Sequence, residues 1–269
     1  ERSDGLGAIF PPIVWSIVAL RCLGYADDSP EVLECHKQLD ALMIEDEQND
    51  TMRLQPCKSP VWDTALSIRS LAACGVRPER PEFGRGVDWL LDKQILQPGD
   101  WSETVDAEPG GWAFEYANDF YPDSDDTAMA LVALQSQFAN GPLSDALPPD
   151  LRVADGTDYV AADQVQRLRR STAAIERGQA WMLAMQNNDG GWGAFDRNNN
   201  RRFLCYVPFA DHNAMIDPST ADLTGHVLGA LGELGRRVGD ASVDRAVAFL
   251  RRTQEPNGSW FGRWGVNYI

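Results

Sequence analysis

Three features of the sequence predict an all-α fold in which helix pairs stack into an α/α barrel, or toroid. Apolar residues recur at helical spacing, whereas alternating, strand-like runs are scarce. Helix starts are legible as a small polar residue followed by proline. One pattern recurs three times: Arg, a small residue, an aromatic, an aliphatic residue or Met, Gln, and after a loop Gly-X-Trp.

In chain order, helices are expected over 12–24, 30–46, 61–75, 82–96, 125–138, 161–187, 218–236 and 241–254. Ser29-Pro30, Ser59-Pro60 and Asp217-Pro218 each offer an N-cap followed by Pro at the first helical position, where its missing N–H costs nothing. Gly, Pro and Asn mark the loops, as in Pro109-Gly110-Gly111 and Asn187-Asn188-Asp189-Gly190-Gly191. The stretch Asn140 to Asp163, with Pro142, Pro148, Pro149 and several Asp, reads as a long variable surface connection.

The first copy of the repeat is Arg85-Gly86, Trp89-Leu90, Gln94, Gly99-Asp100-Trp101. The second is Arg177-Gly178, Trp181-Met182, Gln186, Gly190-Gly191-Trp192, and the third is Arg245-Ala246, Phe249-Leu250, Gln254, Gly258-Ser259-Trp260. Arg precedes Gln by nine residues in every copy. Each Gln is expected at a helix C-terminus, with its amide bonded to free backbone groups there or across to the next repeat, while Trp packs back over the helix end. A stacked array of this kind that closes on itself leaves a central cavity suited to a large apolar ligand. Trp15 and Trp112 have no place in the pattern.

Composition narrows the function. With 24 Lys+Arg against 40 Asp+Glu, the net charge is -16, so no cationic footprint exists for nucleic acid or an anionic membrane surface. No window reaches the roughly 20 apolar residues that span a bilayer. The five cysteines, Cys22, Cys35, Cys57, Cys74 and Cys205, form no CxxC pair, and their odd number points to a reducing, cytosolic setting. Residue 1 is Glu and the chain stops at Asn267-Tyr268-Ile269 as an apolar segment opens, so a piece of a longer protein is expected.

One segment stands apart: Asp123-Ser124-Asp125-Asp126-Thr127-Ala128, three carboxylates opening an apolar helix. Asp123 after Pro122 suits an N-cap and Asp126 complements the helix dipole, but neither role accounts for Asp125. A calcium loop starting at Asp123 would need Gly at its sixth position and Glu at its twelfth, where Ala128 and Leu134 stand. A magnesium-diphosphate site lacks both a Gly-rich phosphate loop and a basic cluster. No metal or cofactor is called for. Asp222 and His226, spaced i, i+4, share a helix face on which the carboxylate can hold a histidinium. His36 is read as structural.

These residues resemble the squalene-hopene cyclases, within the class II triterpene cyclases. Asp123 to Ala128 is similar to that family's DxDDTA motif, and the three repeats resemble its QW motifs. Gln55-Pro56-Cys57, Ser59 to Thr64, Gly110 to Phe114 and Gly258 to Gly265 add to the likeness. The resemblance implies the central portion of a two-barrel chain over residues 1–269, mostly its catalytic α/α barrel, with part of the N-terminal domain and the C-terminal helices lying outside the sequence.

It also implies the chemistry. Asp125 would be the general acid that protonates a terminal double bond of squalene, flanked by Asp123 and Asp126, and His226, oriented by Asp222, would raise its acidity. Trp62, Phe114, Phe195 and Trp264 would stabilise carbocations, Ile9 and Pro11 would lie near the cavity wall, and Phe209 would constrict the substrate entrance. Products would be hopene or hopanol-type pentacycles. The resemblance further implies a monotopic protein on the cytoplasmic side of the cell membrane, drawing squalene from the bilayer surface, and allows a homodimer. Two alternatives stay open at this point: a DxDD-type cyclase of another polyprenoid, and a non-catalytic α/α-barrel module that binds isoprenoids.

Overall fold

In the computed structural model, which describes residues 9–138, 162–207 and 215–263, eight α-helices carry the fold and one short hairpin interrupts them. They are α1 Phe10–Cys22, α2 Pro30–Asp40, α3 Pro60–Ala73, α4 Pro81–Asp92, α5 Ser124–Gln135, α6 Ala162–Ala184, α7 Ala221–Glu233 and α8 Ala241–Thr253. The hairpin pairs β1 Met43–Asp46 with β2 Thr51–Leu54. The chain divides into two compact units, residues 1–60 with 114–119 and residues 61–113 with 120–269.

In the first unit α1 and α2 lie side by side around Ile13, Val32, Cys35 and Leu42. α1 begins two residues earlier than expected, because Pro11 and Pro12 fall in its first turn, where no N–H is needed. Its entry is tied down by the Phe10 N–H, which donates to the Pro56 carbonyl at 2.9 Å. The helix expected to reach residue 46 stops at Asp40 instead. Beyond it, Glu45 and Asp46 would burden the negative end of the helix dipole. The Asp46 carboxylate instead accepts the N–H groups of Gln48 and Asn49, closing a turn that folds Thr51 to Leu54 back antiparallel onto Met43 to Asp46.

In the second unit α5 lies between α6 and α7, α7 packs on α8, and α6 packs on α4. This stacking of successive helix pairs is that of an α/α barrel. α5 is buried on nearly all sides, as its Ala128, Ala130, Leu131, Ala133 and Leu134 require, and Trp112, Trp181 and Trp192 sit fully buried in the same core. The expected start of a helix at Asp217-Pro218 is displaced to Ala221, with Thr220 as N-cap residue, since Asp217 turns its carboxylate to another loop. The connection expected over Asn140 to Asp163 lies outside the described residues up to Ala161, and Ala162 and Asp163 already belong to α6.

The repeats act as clasps between helix pairs. The Gln94 amide N–H donates to Gly110 O (2.8 Å) and Ala174 O (2.9 Å), while its carbonyl accepts from Arg177 of the next copy (2.7 Å). Gln186 repeats the arrangement with Gly190 O and Ser242 O, both at 2.9 Å, and Arg245. The clasp needs glycine at position 190, whose φ is 96° and whose missing side chain makes room for the backbone of Arg245.

The first copy corrects the expected register. The indole N–H groups of Trp192 and Trp260 donate to Met182 O and Leu250 O at 2.8 Å, and the equivalent bond to Leu90 O, also 2.8 Å, comes from Trp112 and not from Trp101. A stretch of fifteen residues, 95–109, separates Gln94 from its glycine, where three, 187–189, separate Gln186 from Gly190. Within it Trp101 lies in a 3-10 turn, Asp100–Glu103, and meets Trp181 edge to face at 5.9 Å.

Candidate active site

Two hydroxyl-closed corners bring the acidic segment and the histidine together. At the first, the N–H of Asp123 donates to Trp112 O (2.8 Å) and the N–H of Trp112 donates to Thr127 Oγ1 (2.9 Å), which fixes where α5 begins. At the second, the N–H of Thr220 donates to Trp192 O and the N–H of Trp192 to Thr224 Oγ1, both at 3.1 Å, which fixes the start of α7. The corners join where the Ser124 N–H donates to Ala194 O at 2.8 Å.

Asp123 caps α5, its Oδ1 accepting the Asp126 N–H at 2.7 Å. Asp123 and Asp126 are both buried. Burial drives the Asp123 carboxyl well above the ordinary carboxylate range, and the neighbouring Asp126 charge pushes the same way, against the backbone N–H bond from Asp126. Asp125 faces differently. Its side chain is 26% exposed, and its Oδ1 lies 2.5 Å from His226 Nδ1.

His226 is half-buried on α7, and its pKa is raised, first by the hydrogen bond to Asp125. Burial opposes that shift; the charges of Asp125 and Asp222 reinforce it, while Arg69 works against it. The structure therefore puts His226 on Asp125 itself, whereas the spacing of the sequence pointed to Asp222. Asp222 sits one turn earlier on the same helix and contributes through its charge. Trp62, at the start of α3, flanks the imidazole with ring centroids 6.0 Å apart and planes tilted by 43°.

The arrangement suits proton donation. A carboxylic acid at a helix N-terminus, paired with a cationic imidazole, leaves a conjugate base that both the dipole and the imidazolium stabilise. Phe195 lies on the Trp192 loop that reaches Ser124, and its own N–H donates to Asp217 Oδ2 at 2.5 Å. Ile9, Pro11 and Phe114 belong to the first unit, where all three are partly buried. Phe209 and Trp264 lie outside the described residues.

Sequence reading missed the roles of four residues: Trp112, Thr127 and Thr224 with their hydroxyls, and Asp217 with its carboxylate. The available signal was the Gly-Gly-Trp triplet at 110–112 and again at 190–192, each followed by a helix whose fourth residue is Thr, Thr127 in α5 and Thr224 in α7.

Among known proteins, the model of the squalene-hopene cyclase C-terminal domain matches residues 58–146 and 149–269, and that of the N-terminal domain matches residues 1–48. The chain is 39% identical to the squalene-hopene cyclase of Schizosaccharomyces japonicus over 99% of its own length and 37% of the relative's. It is 38% identical to the squalene-hopene cyclase of Zymomonas mobilis over 99% of its length and 38% of the relative's. The chain thus spans under two fifths of the length of these relatives. A solved ent-copalyl diphosphate synthase from Streptomyces platensis aligns with 98% of this chain and 46% of that one, at a TM-score of 0.33 and 22% identity.

Proposed function

The chain belongs to the squalene-hopene cyclase family, and from that premise we propose that it carries the proton-donating part of a triterpene cyclase that converts squalene to hopene or hopanol-type pentacycles. Asp125 gives its proton to the less substituted carbon of a terminal double bond, and the alkene's electron pair forms the new C–H bond. A tertiary carbocation remains, which successive double bonds of the chain attack in turn. The last cation loses a proton or captures water. Asp125 then regains a proton from solvent to complete the cycle.

The observation that carries this reading is the 2.5 Å contact between Asp125 and His226 at the start of α5. An alkene is a very weak base, and a carboxylic acid that is only buried is a weaker donor still, because desolvation disfavours its anion. His226, held protonated by its raised pKa, reverses that effect at the donor atom. The partly exposed faces of Trp62 and Phe195 supply cation-π stabilisation, roughly 2 kcal/mol or more each once desolvated. Asp123 and Asp126 hold the donor's helix and tune its field. Recruitment of squalene from a membrane surface by a monotopic protein on the cytoplasmic side belongs to the same proposal; no described helix is long and apolar enough to cross a bilayer.

The test uses the complete cyclase chain that contains this sequence. Asp125→Asn is expected to abolish squalene cyclisation with an unchanged circular dichroism spectrum. Turnover at the wild-type rate would refute the assignment. Offering a polyprenyl diphosphate beside squalene, with products identified by mass spectrometry, checks the substrate.

A further inference from the structure

We infer that Asp217 is a positioning residue that sets the acid helix and the Phe195 ring in register with one another. Its carboxylate Oδ2 accepts the backbone N–H groups of Phe195 at 2.5 Å and Asp196 at 3.0 Å. The Ala194 backbone N–H also helps to hold the pKa of that carboxyl down. Two consecutive N–H groups therefore bond one partly buried carboxylate, and a turn held in this way has little freedom to shift. The approach is close because residue 193 is glycine: a Cβ there would stand 2.7 Å from Asp217 Oδ2.

The turn has two outputs. Its Ala194 carbonyl receives the Ser124 N–H at 2.8 Å, one residue before Asp125, and its next residue presents Phe195. Anything that loosens the turn moves donor and aromatic together. Burial raises the Asp217 pKa and the N–H bonds oppose that rise, as expected for a carboxylate retained for its acceptor geometry. Asp217 meets no reacting atom in this account; it acts through the backbone of 194–196.

The inference rests on the roles of Asp125 and Phe195 given above, so the experiment separates the two. In the complete cyclase, Asp217→Ala, Phe195→Ala, their combination and Asp125→Asn are compared below their unfolding temperatures, with Asp217→Asn as a variant that keeps an acceptor oxygen. Asp217→Ala is expected to lower kcat by about 10- to 100-fold, the scale of a small misplacement of reacting groups. It should also shift products toward early-terminated rings and expose the 194–196 amides to hydrogen exchange. In the Phe195→Ala background the same change should cost less than about 3-fold, and Asp217→Asn should recover part of the loss. Unchanged kcat and product ratios in Asp217→Ala, or effects of the two alanine variants that multiply independently, would overturn the inference. Wild-type turnover by Asp125→Asn would instead remove the cyclase reading, and hydrogen exchange would still report whether Asp217 holds the turn.

Discussion

At the start of α5, Asp123 holds the cap position and, four residues on, Thr127 accepts the Trp112 N–H; at the start of α7, Thr220 holds the cap position and Thr224 accepts the Trp192 N–H. Position by position, Asp125 in the first helix matches Asp222 in the second, and Met129 matches His226. The scaffold is the same in both, including the tryptophan that closes each corner through its backbone N–H and anchors its ring through its indole N–H. What differs is what the scaffold leaves open. The cap of α5 is a buried carboxylate with an acidic neighbour, whereas Thr220 makes no cap bond. A repeated frame can thus carry an acid on one helix and the acid's partner on the next, and the two meet because α5 and α7 lie side by side.

Variants of the chemistry should accordingly be unequal in the two helices, and variants of the frame equal. The largest effect falls on the pair itself: His226→Phe in the complete cyclase should lower turnover by about 10²- to 10⁴-fold, against a few-fold for Met129→Leu, measured as initial rates on squalene. Next come the corner tryptophans. Trp112→Ala and Trp192→Ala are each expected to cost about 3–5 kcal/mol in thermal or denaturant unfolding, and a marked difference between them would show that the corners are not equivalent. Thr127→Val and Thr224→Val each leave a buried tryptophan backbone N–H without its acceptor, a loss of about 1–3 kcal/mol apiece.

The pH dependence separates the two caps and is the smallest effect. Asp123 has a raised pKa, so its ionisation penalises the folded state increasingly as pH climbs from the unfolded value of 3.8 through the folded one. Asp123→Asn, which keeps the cap, should be more stable than wild type near neutral pH by up to about 1 kcal/mol, with the gain vanishing as the medium is acidified. For His226 the sign is the same, in a higher pH window. The stabilisation from its pairing with Asp125 is complete below the unfolded pKa of 6.5 and fades as pH rises through the higher folded value, and turnover should fall over the same window.

Much of this was legible in the sequence. The eight helices lie within a few residues of their expected places, because apolar periodicity and Ser-Pro starts are local signals. Asp123 reads as a cap from Pro122 and the apolar run behind it. The hairpin at residues 43–54 was missed because an Asp side chain closing a turn outweighed helix-compatible residues. Trp101 was preferred to Trp112 because fixed spacing cannot register a longer loop, while the bond to Leu90 O depends on where that loop returns. Asp217 was read as a cap for the residues after it, yet its carboxylate reaches back more than twenty positions to Phe195. The i, i+4 spacing paired His226 with Asp222, and only the resemblance set it beside Asp125, since a partner on α5 is set by packing that no local pattern encodes.

The claim that cyclisation starts with a proton from Asp125 is tested most directly by a single turnover of squalene in heavy water, comparing the complete wild-type cyclase with Asp125→Asn. The wild-type product is predicted to carry one solvent-derived deuterium on the first ring, and the Asn variant to return unlabelled, uncyclised squalene. Singly deuterated pentacycle from Asp125→Asn at the wild-type rate would contradict the account.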